Sequence, residues 1–229
     1  MISEMFAHGF IQRAFIGGVL VSLCAALLGV SLVLKRYSMI GDGLSHVSFG
    51  ALSIAIAFGF APIKFSIPIV IIAAFFLLRL AENGKMKSDA AIAMVSASSL
   101  AIGVIVTSLT TGLSTDVCSY MFGSILAMSK DDVIFSVVLS VVVLIMFGFC
   151  YHRIFAVTFD ESFSKATGVK VGMYNTLISI FTAVTVVLGI KMMGAMLISS
   201  LIIFPALTSM RVFKSFLSVT ICSAILAVI

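Results

Sequence analysis

Charge is what this chain has least of. Only 10% of its 229 residues are Asp, Glu, Lys or Arg, and it has three histidines and three prolines. With 62% of the residues hydrophobic, too few polar side chains remain to cover a soluble globule, which excludes a soluble domain of this length. The low proline count and 17 glycines exclude a collagen-like or low-complexity chain. No GxxxxGK[ST] phosphate loop is present, so ATP is not bound by that route. No HExxH helix, GxSxG elbow, TVGYG filter or arginine-rich helix occurs, which argues against a zinc protease, an α/β-hydrolase, a potassium channel and a voltage sensor. The four cysteines, Cys24, Cys118, Cys150 and Cys222, show no CxxC spacing and three sit in apolar runs; they read as buried packing residues. The net charge of +5 is scattered at the ends of apolar runs, where it sets orientation, and is no nucleic-acid signal. The start of the chain, with Glu4 in place of a basic cluster and a long apolar run, does not resemble a cleaved signal peptide.

What is there is a succession of apolar runs near the ~20 residues that a helix needs to span a bilayer. They cover about Phe10 to Leu34, Tyr37 or Gly41 to Phe60, Pro62 to Leu78, Ala90 to Leu109, Val133 to Cys150, Met173 to Ile190, Met192 to Met210 and Phe216 to Ile229. The expectation is an all-α, polytopic transmembrane helical bundle of about eight spans, forming a single domain over residues 1–229. The mixed stretch Thr110 to Asp132 has a middle, Val117 to Met128, suited to a short interfacial or re-entrant helix. Tyr151 to Gly172 is the longest polar region, and the last run is short for a span, so the chain is expected to stop before that helix ends. Alternate loops receive ten and four of the 14 basic residues, which puts the ten-residue side, with Tyr151 to Gly172, in the cytoplasm and the N-terminus outside.

Three stretches carry chemistry. In Arg36 to Gly50 (RYSMIGDGLSHVSFG), Asp42 and His46 are four residues apart and share a helix face, with Ser38 and Ser45 near it. A carboxylate beside an imidazole is a pair of ligands for a borderline divalent ion. The alternative is a helix start, with Asp42 as N-cap and His46 snorkelling to the interface. Depth separates the two: a helix beginning near Tyr37 puts His46 roughly 13 Å in, where an ionisable group is expensive and functional. The second stretch, Thr158 to Gly168 (TFDESFSKATG), has acidic residues at its start and a glycine stop, which suits a solvated helical turn or a docking helix for a partner. The third, Gly194 to Ala206 (GAMLISSLIIFPA), contains Pro205, expected to break or kink its span, and Ser199 and Ser200, which can rebond freed carbonyls, line a pathway or permit close packing. Met192, Met193 and Met196 read as gap-filling core, and His8 and His152 fall outside the spans with no role assigned.

Taken in order, KRYSMIGDGLSHVSFGALSIA, FDESFSKATGV and GAMLISSLIIFPALTS resemble the permease subunit of bacterial zinc, manganese and iron ABC importers. The resemblance covers nearly the whole chain. It implies a multi-pass protein of the bacterial cytoplasmic membrane that pairs with a second copy of itself and binds a cytoplasmic ABC ATPase. It also implies an extracytoplasmic metal-binding protein that delivers the ion. On the resemblance, residues of about 158–170 form the coupling helix, with Asp160, Glu161, Ala166 and Gly168 at its acidic, small and glycine positions. Asp42 and His46 match the Asp/His pair that the resemblance assigns to intramembrane coordination in related manganese permeases, and Ser38, Ser45, Ser199 and Ser200 are lesser pathway candidates. The subunit itself would be non-catalytic and hold no resident cofactor; its cargo would be zinc, manganese or iron. A secondary carrier or channel for a cation, independent of ATP, is the alternative, and a structural or assembly protein of the membrane is a third.

Overall fold

The structure is a computed structural model that describes residues 9–37, 39–82, 88–110, 123 and 130–229. Among the described residues the chain forms nine helices and no strand: α1 Gly9–Leu34, α2 Ile40–Ala57, α3 Pro62–Glu82, α4 Ser88–Leu109, α5 Lys130–Phe159, α6 Glu161–Ala166, α7 Val171–Met193, α8 Ala195–Val212 and α9 Phe216–Val228. Six of these, α1, α2, α4, α5, α7 and α8, are long and apolar enough to cross a membrane. Two shorter apolar helices, Pro62–Leu77 within α3 and Phe216–Val228, lie where the other two expected spans fall. The all-α polytopic bundle expected from hydropathy is the observed architecture.

α1 and α7 form the axis of the bundle. Val21, Cys24, Ala25 and Leu28 of α1 and Ala183, Val186, Val187, Leu188 and Ile190 of α7 are fully buried. Both helices are apolar around their whole circumference, as a helix enclosed by others can be. α1 packs against α5, α7, α8 and α9, and α7 also touches α2, α3, α5 and α8. The outer helices are different. α4 and α5 leave Ile102, Val104, Ile105, Ile134, Val138, Ile145 and Phe149 exposed, with Phe149 at 84%. Water would penalise such a surface by about 25 cal/mol for each Å², whereas hydrocarbon does not, so these faces suit lipid.

Small residues let the helices approach closely. A methyl group on Gly50 of α2 would stand 2.8 Å from the Ser99 carbonyl oxygen of α4, and one on Gly29 of α1 would stand 2.0 Å from the Ile202 carbonyl oxygen of α8. Where burial of apolar surface drives no helix association, such backbone approach supplies the dispersion contact instead.

Three expectations need correction. Helix α5 does not end at Cys150 but continues to Phe159, 30 residues in all. No Gly or Pro interrupts Tyr151 to Phe159, and Ile154 and Val157 are buried, so packing carries the helix on past its polar residues. At 1.5 Å per residue α5 is about 45 Å long and projects beyond a ~30 Å hydrocarbon layer. The sixth and seventh runs are divided at Gly194, whose φ of 88° suits glycine, and not at Lys191, which lies in the last turn of α7. Close contact of Gly189 with Ile198 across this break makes α7 and α8 a tight hairpin. Pro205 does not break α8, which is continuous from Ala195 to Val212. The suggested re-entrant segment, Val117 to Met128, lies outside the described residues apart from Gly123.

Candidate functional site

α1 ends in a Schellman motif. Arg36 takes the left-handed conformation (φ 60°), Tyr37 N–H donates to the Leu32 carbonyl (2.9 Å) and Arg36 N–H donates to the Val33 carbonyl (3.0 Å). The chain then re-enters the bundle as α2, with Ile40 N–H donating to the Tyr37 carbonyl (3.0 Å) and Gly43 N–H to that of Met39 (3.0 Å). The N-cap is Met39, without a side-chain cap bond, so Asp42 is not the cap that the simpler reading expects. Asp42 lies in the first turn instead. His46, six residues beyond Ile40, is about 9 Å into the helix, shallower than a start at Tyr37 would give.

The structure brings Asp42 and His46 together: His46 Nε2 is 3.7 Å from Asp42 Oδ2. Both side chains stay accessible, His46 at 29% and Asp42 at 44%, while Gly41, Gly43, Leu44, Ser45, Val47 and Ser48 around them are buried. Gly41 faces Ile202 of α8 and Gly43 faces Ile92 of α4, so the pair emerges on the strip of α2 between α8 and α4. Two nitrogen and oxygen donors can hold a divalent ion only with further ligands. Among the described residues no group of three or more His, Cys, Asp or Glu is assembled.

The serine candidates are less available. Ser45 is buried and donates to the Asp42 carbonyl at 2.7 Å. Ser199 donates to the Ala195 carbonyl and Ser200 to that of Met196, each at 3.0 Å. All three hydroxyls therefore back-bond to their own helices. Ser38 lies outside the described residues.

The acidic segment forms a complete short helix. Asp160 is its N-cap, extended at φ −145°, and its carboxylate accepts from Phe163 N–H at 2.9 Å. Gly168 (φ 79°) closes the other end: Val169 N–H donates to the Ser164 carbonyl (2.9 Å) and Gly168 N–H to that of Lys165 (3.1 Å). Asp160, Ala166 and Gly168 are exposed, and Phe159 and Phe163 stand out from the same segment at 69% and 64% exposure. Two exposed phenyl rings beside a capped helix at one end of the bundle make a surface that can seat another protein.

On the sequence Glu161 is only an acidic marker; the structure gives it two partners. Its carboxylate accepts from Lys35 Nζ (2.9 Å) and from Asn175 Nδ2 (3.1 Å). Asn175 Oδ1 in turn accepts from Lys35 Nζ, closing a three-membered ring across the end of α1, α6 and α7. Partial burial pushes the Glu161 carboxyl up, but the bonds from Lys35 and Asn175 and the charges of Lys35 and Lys165 outweigh it and hold the group below its ordinary value. Lys35 and Asn175 have no signal in the sequence: separations of 126 and 140 residues from Lys35 to its two partners leave no local pattern to read.

The model of the ABC 3 transport family matches residues 7–229. The high-affinity zinc uptake system membrane protein ZnuB of Buchnera aphidicola is 32% identical over 85% of this chain and 75% of its own. The manganese import system permease protein ScaB of Streptococcus gordonii is 28% identical over 95% of this chain and 78% of its own. Among solved structures, a chain of PsaBC from Streptococcus pneumoniae, in complex with a Fab, superposes with a TM-score of 0.85 at 27% identity, covering 100% of this chain and 83% of that one.

Proposed function

The chain belongs to the ABC 3 transport family, and we propose that this multi-pass membrane permease serves an ATP-driven importer of divalent metal ions. The observation that carries this reading is the Asp42–His46 pair, 3.7 Å apart on a span-length helix. Asp42 stands in the first turn of that helix and His46 about 9 Å in, both partly accessible, so an ion arriving at this end of the span meets a carboxylate and an imidazole together. The zinc and manganese named for the two relatives are both borderline or hard ions that a carboxylate and an imidazole bind. Iron fits the same donors.

The pair is half-exposed on the strip of α2 between α8 and α4. A second copy placed across that strip would cover two costly side chains and bring a second Asp/His pair, making up a ligand set that one chain lacks. The ion, as cargo, would exchange water for these donors and be released when the two copies part. Helix α6 is the seat for a cytoplasmic ABC ATPase: Asp160 caps it, Ala166 leaves room on its exposed face, Gly168 turns the chain away, and Phe159 and Phe163 supply apolar contact. ATP is hydrolysed in that partner, and an extracytoplasmic binding protein supplies the metal at the opposite face.

The test is uptake of zinc, manganese and iron, each supplied alone, by cells carrying the whole transporter. His46→Ala and Asp42→Ala should abolish uptake of the transported ion at normal expression. Unchanged uptake removes the pair from the pathway. Uptake that persists when the ATPase partner is inactivated makes the chain a secondary carrier.

A further inference from the structure

We propose that Lys35, together with Asn175, is a positioning residue that carries the movement of α6 to the helix bearing Asp42 and His46. This rests on the reading of the chain as an importer permease and adds to it the route by which the partner's work reaches the ion.

Lys35 follows the last residue of α1, and its side chain is only 6% exposed. Burying an ammonium is strongly unfavourable unless it is paired and hydrogen-bonded. Here it is both, to Glu161 of α6 and to Asn175 of α7. Asn175 is itself 2% exposed. Each of the three side chains bonds the other two, so a shift of α6 by more than a fraction of an ångström strands a buried charge or amide. The alternative to such stranding is that Lys35 moves with α6.

Lys35 is in turn joined to α2 by a short, bonded connection. Its own N–H donates to the Ser31 carbonyl (3.1 Å), and the turn that follows is fixed at both ends by the Schellman bonds of α1 and by the Tyr37 and Met39 carbonyls that open α2. Asp42 is seven residues after Lys35. Through this stretch a displacement at Glu161 reaches Asp42 along covalent chain and backbone hydrogen bonds. Asn175 stands on α7, which touches both α6 and α2, so the three side chains shift as a unit and α7 offers a second route to the same helix. Neither Lys35 nor Asn175 touches the ion or, being buried, the ATPase; both act through Glu161.

The experiment uses the whole transporter, with its ATPase and binding protein, reconstituted in liposomes and supplied with zinc or manganese alone. ATP hydrolysis and metal uptake are measured together. Lys35→Met and Asn175→Leu should keep the ATPase bound and hydrolysing while the metal moved per ATP falls about tenfold, the size of an ordinary coupling between two sites. The exchanged pair Lys35→Glu with Glu161→Lys should recover part of that ratio relative to either single change. A wild-type ratio in Lys35→Met overturns the proposal. So does a loss of hydrolysis and uptake by the same factor, because that marks a merely structural contact. Should Lys35→Met fail to assemble, Asn175→Ser, which removes the amide without adding bulk, is read on the same ratio: a tenfold fall supports the proposal, and a wild-type ratio or a parallel loss overturns it. A wild-type complex that shows no ATP-dependent uptake refutes the importer reading; an active wild type with an unaltered Lys35→Met refutes this proposal alone.

Discussion

Replacing Gly29 with alanine should force α1 and α8 apart, and the size of the effect follows from geometry. The added carbon would stand 2.0 Å from the Ile202 carbonyl oxygen and 3.0 Å from its carbonyl carbon, where ordinary contact begins at 3.4 Å. The atoms met are helix backbone, which no rotamer change can move aside, so the two helices must part by about 1.4 Å, the difference between 3.4 and 2.0 Å. Overpacking of this kind costs about 1–3 kcal/mol, here near the top of the range, and the gain in helix propensity returns at most about 1 kcal/mol. A net loss of about 2 kcal/mol lowers the melting midpoint of a chain this long by about 4–8 °C. The displacement also reaches α2, because Ile202 Cδ1 packs 3.1 Å from where a methyl on Gly41 would sit, one residue before Asp42. The control is Gly148→Ala, on an exposed face of α5 with nothing within 4 Å, which should hold or raise the midpoint. Thermal unfolding of the detergent-purified variants decides the matter. If Gly29→Ala melts at or above the wild-type midpoint, the close α1–α8 approach is not what holds these helices together.

Arg36→Gly should raise the melting midpoint, because Arg36 sits at φ 60° where glycine avoids about 1 kcal/mol of strain; an unchanged or lower midpoint means that the Arg36 side chain compensates for the strain. Gly168→Ala meets no neighbour, so its cost, about 1 kcal/mol, is purely conformational and confined to α6; ATPase co-purification should weaken while the melting midpoint stays put, and Gly168→Asn, which tolerates the left-handed region, should be milder. Acidification should remove the contribution of Glu161. Its folded-state value lies below 4.5, so the stabilisation is present above about 4.5 and fades as pH falls through the folded value. The midpoint gap between wild type and Glu161→Gln should therefore close on going from neutral to strongly acid buffer, and a gap that widens would refute the pairing.

How far the fold was legible depended on what made each boundary. The spans are set by composition: runs of Leu, Ile, Val and Phe must be helical in lipid because no water is there to satisfy an open backbone. Composition therefore locates every helix among the described residues that is long enough to cross, but polarity is a poor guide to where a helix ends, and it misleads at Tyr151. His152 and Arg153 look like the start of a loop, yet nothing there breaks a helix, and the buried Ile154 and Val157 extend α5 to the Asp160 cap. Backbone geometry decides in such places. Gly194, not the charge at Lys191, turns α7 into α8, and Pro205 passes inside α8 although its missing N–H points to a break.

The candidate site shows the same division between local and distant information. The Asp42–His46 pair was legible because four residues on a helix already bring two side chains to one face, and the structure had only to supply the helix. Its surroundings were not legible. That Ser45 would back-bond to the Asp42 carbonyl, that Met39 would stand at the N-cap, and that the face beside the pair would be left uncovered by the described helices all depend on where α4 and α8 pack. The ring of Lys35, Glu161 and Asn175 lies furthest from sequence reasoning, because each residue alone has an ordinary explanation: a positive charge closing a span, an acid opening a short helix, an amide near a helix start. Only their convergence makes a buried cation tolerable in a chain this poor in charge. A membrane protein with few polar side chains has few ways to pass a force from one end to another by specific contact, so the places where three of them meet are where its mechanics should be sought.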